Sequence, residues 1–166
     1  PHVSDSLDWE GELAVVIGKE GRDICEADAW SHIAGYSCYN DASVREWQFH
    51  AKQIASGKNF ESTGAFGPWM VTADEIADPQ NLNITLTNNG QVMQKFNTSD
   101  MAHHIPRIIE WVSSIHTLEP GDIVLTGTPA GVGLGQKPAP WFLKPGDVMR
   151  LGATGLGEQV QKCVGG

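Results

Sequence analysis

The chain has 166 residues, 40% of them hydrophobic and 19% charged, with 11 Lys and Arg against 20 Asp and Glu and a formal net charge of −9. That length suits one domain, and the apolar content is enough for a core. The acidic balance, with no basic stripe, argues against nucleic acid or an anionic membrane as a partner; a small anionic substrate stays compatible, because a metal and a few local cations can invert the local field.

In chain order, residues 9–17 read as the first strand. Glu10 and Glu12 stand one residue apart at its mouth, and Leu13-Ala14-Val15-Val16-Ile17 follows as a β-branched apolar run too short to span a membrane. Glu26 to Ala34 has helical character and meets Gly35, a suitable residue to end it. Tyr36 to Asn40 is a short strand that delivers Asp41. Ser43 to Lys52 reads as a short helix carrying Arg45 and Gln48, and Ala55 to Gly67 as a loop containing Lys58. Pro68 to Thr72 is a strand and Ala73 to Gln80 a polar turn. Leu82 to Thr87 and Gln91 to Phe96 flank Asn88-Asn89-Gly90, a hairpin signal. Asn97-Thr98-Ser99-Asp100 is an N-cap cluster expected to open a helix to about His116, with Pro106 in its first turns and Ile105, Ile108, Ile109 and Val112 on one apolar face.

Glu119-Pro120-Gly121-Asp122 turns into the strand Ile123 to Thr126, and the Gly-rich loop Gly127 to Gly135 follows. Lys144-Pro145-Gly146-Asp147 is a second such turn, into Val148 to Leu151, and Gly155-Leu156-Gly157 leads to a last strand, Gln159 to Val164. The 19 Gly and 9 Pro are dispersed as turn signals between apolar runs. The expected fold is therefore mainly β with some α, one domain over residues 1–166, without repeats. Three cysteines, an odd number with no CxxC spacing, fit a reduced, cytoplasmic setting, and no run approaches the ~18 apolar residues of a membrane-spanning helix.

Side chains at i and i+2 of a strand share a face, so the carboxylates of Glu10 and Glu12 stand side by side. Like charges that close raise one another's pKa unless a cation lies between them. A carboxylate-only set suits a hard ion, Mg²⁺ or Mn²⁺, with Ca²⁺ also compatible. Taken alone, Glu-x-Glu more often marks a half-exposed strand whose carboxylates both face water. Asp41, just past a strand, would complete a triad of oxygens, although an Asp there also serves as a helix N-cap. Lys58, between Gly57 and Asn59-Phe60, reads by itself as a solvated surface lysine. The Gly-rich loop runs into Pro138-Ala139-Pro140 and not into a helix, which argues against a phosphate loop; a tight approach to a bound ligand, with the Thr128 hydroxyl as donor, fits better. His103-His104 has no partner four residues on, so a zinc site is not expected.

The order of these motifs is more specific than any one of them. Asp8-Trp9-Glu10-Gly11-Glu12-Leu13-Ala14-Val15-Val16-Ile17-Gly18-Lys19, then Gly35 to Gln48, Gly57-Lys58-Asn59-Phe60, Gly67 to Thr72, Asn97 to Met101, and Leu118 to Gly133 resemble, in series, the catalytic domain of the fumarylacetoacetate hydrolase family. The resemblance covers nearly the whole chain. It implies a mixed β-roll, commonly a homodimer, and a divalent metal held at Glu10, Glu12 and Asp41. It further implies substrate binding by Arg45, Gln48 and Thr128, and an active-site role for Lys58 and Arg45. The implied substrate is a small anionic 2-oxo or β-diketo acid. The implied reaction is hydrolysis of a C–C bond in an acylpyruvate-like acid. Isomerisation or decarboxylation of a 2-oxo or 2-hydroxymuconate-type acid on the same site is the first alternative, in aromatic compound catabolism, and a catalytically silent metal- and carboxylate-binding module the second. Family members usually carry an upstream segment with a His and Glu on a mobile lid; His2 does not occupy that motif, so the general base is not assigned and the domain is expected to lack the usual lid.

Overall fold

The computed structural model describes residues 1–165. Its strands are β1 (Leu7–Asp8), β2 (Gly11–Ile17), β3 (Ile33–Asp41), β4 (Ser43–Val44), β5 (Gly64–Thr72), β6 (Asn83–Asn88), β7 (Gln91–Asn97), β8 (Ile123–Leu125), β9 (Val148–Ala153) and β10 (Gly157–Lys162). Two α-helices, α1 (Arg45–Gln48) and α2 (Ile105–Ile115), complete the mainly-β architecture. One antiparallel sheet has the order β5-β3-β2-β8, a second β10-β9-β6-β7, and β1 pairs with β4 in a small ribbon.

Strand β2 is the centre of the molecule, buried at every residue. Leu13, Val15 and Ile17 enter the main core with Ile84, Leu86 and Leu151 of the second sheet. The intervening residues Glu12, Ala14 and Val16 take the opposite face, as the period of two demands. Gly11 sits where a Cβ would lie 3.0 Å from Leu151 Cδ1 and 3.3 Å from Leu86 Cδ1, so the two sheets approach closely just beneath the Glu-x-Glu pair. Helix α2 packs with Ile105, Ile109 and Ser113 inward, and the Ser113 hydroxyl oxygen accepts the Ile24 N–H at 3.0 Å.

The helix expected over 26–34 is not formed. Only a 3₁₀ turn, Ala29–His32, precedes β3, and Gly35 is a strand residue. A Cβ on Gly35 would meet the Val71 carbonyl oxygen at 2.2 Å, so this glycine allows β3 and β5 to approach and does not end a helix. The helix expected over 43–52 shrinks to the single turn α1. The Asn97–Asp100 cluster does form a capping box, but it caps a separate 3₁₀ turn, Thr98–Asp100, and α2 starts later, at Ile105. The strand expected over 68–72 begins at Gly64.

Candidate metal centre

Three elements converge at the N-terminal end of β2. The Glu10 backbone is clamped by the end of β3: its N–H donates to Asn40 Oδ1 at 2.9 Å, and its carbonyl accepts the Asp41 N–H at 2.9 Å. Asn40, fully buried, is held in turn by a 2.7 Å bond from its Nδ2 to Gln161 Oε1 of β10. Strand β8 runs antiparallel to β2, with Ala14 opposite Leu125. Continuing along it, Thr126 N–H donates to the Leu13 carbonyl at 3.2 Å and Gly127 N–H to Glu12 Oε2 at 2.8 Å.

Glu10, Glu12 and Asp41 thereby offer one carboxylate oxygen each, all within 4.8 Å of one another. Glu10 and Glu12 are buried and Asp41 is half-buried. Burial pushes the Glu12 carboxyl up to about 7, helped by the neighbouring charges of Asp41 and Glu10 and opposed by the Gly127 N–H and by Lys58. A donor set of three hard oxygens, two of them buried, fits a divalent ion that keeps further positions for water or substrate.

Lys58 is not a solvated surface residue. Its side chain is 18% exposed, and Nζ donates to Glu10 Oε2 and Asp41 Oδ2, both at 2.6 Å. Burial works against its charge, but the bonds to Asp41 and Glu10 outweigh that and raise its pKa. Arg45, 6% exposed, places Nη1 2.6 Å from Glu10 Oε1 and 2.9 Å from Gln48 Oε1. Its Nη2 is buried without a hydrogen-bond partner among the described residues. Gln48 is also buried, and its Oε1 accepts the bond from Arg45 Nη1, which links it to Glu10 through the guanidinium.

Thr128 is half-buried; its hydroxyl donates to the Gly11 carbonyl at 3.1 Å and accepts from Gln94 Nε2 at 2.8 Å. A cavity of about 360 Å³ opens beside it, lined by Phe96, Met101, Gly127 and Pro129 among others.

Two residues that the sequence reading left without a role complete the site. Gln94, 1% exposed on β7, accepts the Gly11 N–H at 2.9 Å through Oε1 and donates to the Pro129 carbonyl at 3.1 Å, tying the Glu-x-Glu strand to the Gly-rich loop. Asp8, fully buried, pairs with Arg45 Nε at 2.7 Å. Asp8 stood inside the first motif, but no local pattern signals its distant partners, among them Arg45 and Gly133, 37 and 125 residues away.

The chain is similar to known proteins over nearly its whole length. Residues 1–164 match the family described as Fumarylacetoacetate (FAA) hydrolase C-terminal. A protein of Burkholderia multivorans, provisionally named a hydrolase, is 49% identical over 162 residues, 97% of this chain and 57% of its own length. The fumarylacetoacetate hydrolase of the psychrophile Exiguobacterium antarcticum superposes with a TM-score of 0.95 at 38% identity, over 99% of this chain and 58% of that one. The 5-carboxymethyl-2-hydroxymuconate delta-isomerase of Mycobacterium smegmatis gives 0.90 at 37% identity, over 99% and 61%. The maleylpyruvate hydrolase of Sphingobium sp. SYK-6, solved with manganese(II) and pyruvate, gives 0.84 at 34% identity, over 96% and 55%. The chain thus spans about 57% of the length of the curated relatives it matches.

Proposed function

Because the chain belongs to the fumarylacetoacetate hydrolase family, we propose that it is the catalytic domain of an enzyme that uses Mg²⁺ or Mn²⁺ to hydrolyse a C–C bond in a small acylpyruvate-like or β-diketo acid. The observation that carries this reading is the convergence of Glu10, Glu12 and Asp41 within 4.8 Å, with the Lys58 ammonium bonded to two of them. Those three carboxylates would hold the ion. When bound, it supplies Lewis acidity toward the oxygens of a 2-oxo acid.

The protein's own groups do the rest. Lys58 is the cation in reach of the substrate: its half-buried ammonium can leave one carboxylate and hold a substrate oxyanion while charge develops there. Arg45 acts from behind, fixing the Glu10 carboxylate through Nη1. Thr128 and the Gly127 backbone form the wall where the Gly-rich loop meets β2, and the adjacent cavity would receive the part of the substrate remote from the 2-oxo acid. Hydrolysis also needs a base to activate water. No histidine among the described residues hydrogen-bonds to Glu10, Glu12, Asp41 or Lys58, so none is assigned that task.

A second reading, isomerisation, is favoured by the similarity to the delta-isomerase; like decarboxylation on the same site, it needs chiefly a stabilised enolate. Assaying acylpyruvates, oxaloacetate and hydroxymuconate-type acids with Mg²⁺ or Mn²⁺ separates the readings. Pyruvate release from an acylpyruvate is expected; shift of a double bond without cleavage would favour the isomerase, and metal binding without any turnover the silent module.

A further inference from the structure

Asp8 lies behind the metal centre at the end of β1, fully buried. Its Oδ1 accepts the N–H groups of Trp9 at 2.8 Å and Gly133 at 2.6 Å; its Oδ2 accepts the Leu134 N–H at 2.9 Å and Arg45 Nε at 2.7 Å. A carboxylate has about four acceptor sites, so Asp8 has none left for an ion or a substrate. Its charge is nevertheless felt one step away. Arg45 turns from Asp8 to Glu10 Oε1, Lys58 bridges Glu10 Oε2 to Asp41 Oδ2, and opposite charges alternate along the line Asp8, Arg45, Glu10, Lys58, Asp41. Counting Glu12 as well, four carboxylates face two cations. The surplus is two negative charges, the complement of one divalent ion. Without Asp8 the surplus falls to one, and a buried guanidinium with no second counter-charge would compete with the ion for Glu10.

We infer that Asp8 is a positioning residue of the metal centre: without touching the ion, it holds Arg45 and neutralises it, leaving the charge of Glu10 to the metal. The inference rests on the metal reading of Glu10, Glu12 and Asp41. It also gives the Gly-rich loop a part in the centre, because the Gly133 and Leu134 N–H groups that fix Asp8 belong to that loop.

The test is calorimetric titration of Mg²⁺ into the wild type, Asp8→Asn, Arg45→Met and the double variant, with a thermal melt of each. Asp8→Asn should weaken Mg²⁺ binding by roughly 10- to 100-fold, the usual cost of losing a partner behind a metal ligand. Arg45→Met should not weaken it, and the double variant, with two surplus negative charges again, should recover most of the loss. A lower melting temperature for Asp8→Asn with unchanged Mg²⁺ affinity would make Asp8 merely structural and overturn the inference. Should Asp8→Asn fail to fold, Arg45→Met against the double variant carries the test: with Arg45 gone Asp8 has no cation to hold, so the two must bind Mg²⁺ with affinities within about tenfold, and a double variant weakened beyond the 10- to 100-fold scale of a lost outer partner overturns the inference. A wild type that binds no divalent ion defeats the metal reading and this inference together, whereas wild-type binding with an unaffected Asp8→Asn defeats this inference alone.

Discussion

Lys58 shows how far a residue's surroundings can depart from its sequence context. Read locally it is a loop lysine, and only the resemblance gave it a site. The structure seats its ammonium 2.6 Å from two carboxylates. Lys58→Met keeps the length and removes the charge. Turnover on the best substrate should fall by roughly 10²-fold or more, the scale of losing a preorganised charge at the reacting oxygen. Mg²⁺ affinity should rise, because a competing cation has gone from Glu10 and Asp41. Wild-type turnover in steady-state assays of the variant would remove Lys58 from the mechanism. Glu12 makes a separate prediction, in pH. Its carboxyl is raised from 4.5 to about 7, so the metal-free folded state retains a proton that the unfolded chain releases at lower pH. That contribution to stability is fully present below about 4.5 and is lost as pH rises through about 7. Mg²⁺ must displace the same proton. The rise in melting temperature on adding Mg²⁺ should therefore be larger at pH 8 than at pH 5.5, and a rise independent of pH would contradict the environment described for Glu12. The Glu10–Glu12 pairing was legible because it follows from the period of a strand. The partners of Asp8 and Gln94 were not, because both are polar residues whose bonds reach across the sequence to the Gly-rich loop.

Among the elements, the Gly-rich loop is the most tightly specified. A Cβ at Gly133 would lie 2.0 Å from the Trp141 carbonyl oxygen and 2.7 Å from Asp8 Oδ1, so Gly133→Ala must displace backbone on one side and the Asp8 carboxylate on the other. The expected cost is about 1–3 kcal/mol, typical of overpacking, visible as a lower urea midpoint. Mg²⁺ affinity should weaken with it; an unchanged midpoint would mean that the loop relaxes freely. The strands were legible in outline because apolar runs and turn residues mark them, the Asn88-Asn89-Gly90 hairpin most clearly: β6 and β7 pair from Asn83 with Asn97 to Asn88 with Gln91. The short helices were not. Gly35 looks like a helix end in one dimension, and only the crossing of β5 reveals why a glycine stands there. Likewise, the cap at Asn97 is real but closes a turn of three residues before the chain redirects into α2.

At the scale of the molecule, two packed sheets present one end of their most buried strand as the centre, and the mainly-β class was legible from turn density alone. The sheet order was not, since no local pattern states that β2 lies between β3 and β8. Among the described residues no helix is long and apolar enough to cross a membrane. The edge strand β5 leaves Phe66, Trp69 and Met70 at 42%, 60% and 40% exposure. An exposed apolar edge of that kind marks a surface for another chain, and we propose that it serves a homodimer. Sedimentation equilibrium at micromolar concentration should give twice the 17.9 kDa chain mass; a single species at the chain mass would count against the dimer. The proposed function turns on one ion that Glu10, Glu12 and Asp41 would share, and titration of Mg²⁺ into the wild type beside Glu12→Ala probes it most directly. One ion should bind per wild-type chain, with affinity weakened at least tenfold in the variant, whereas equal affinity in the two proteins would contradict a metal centre at the mouth of β2.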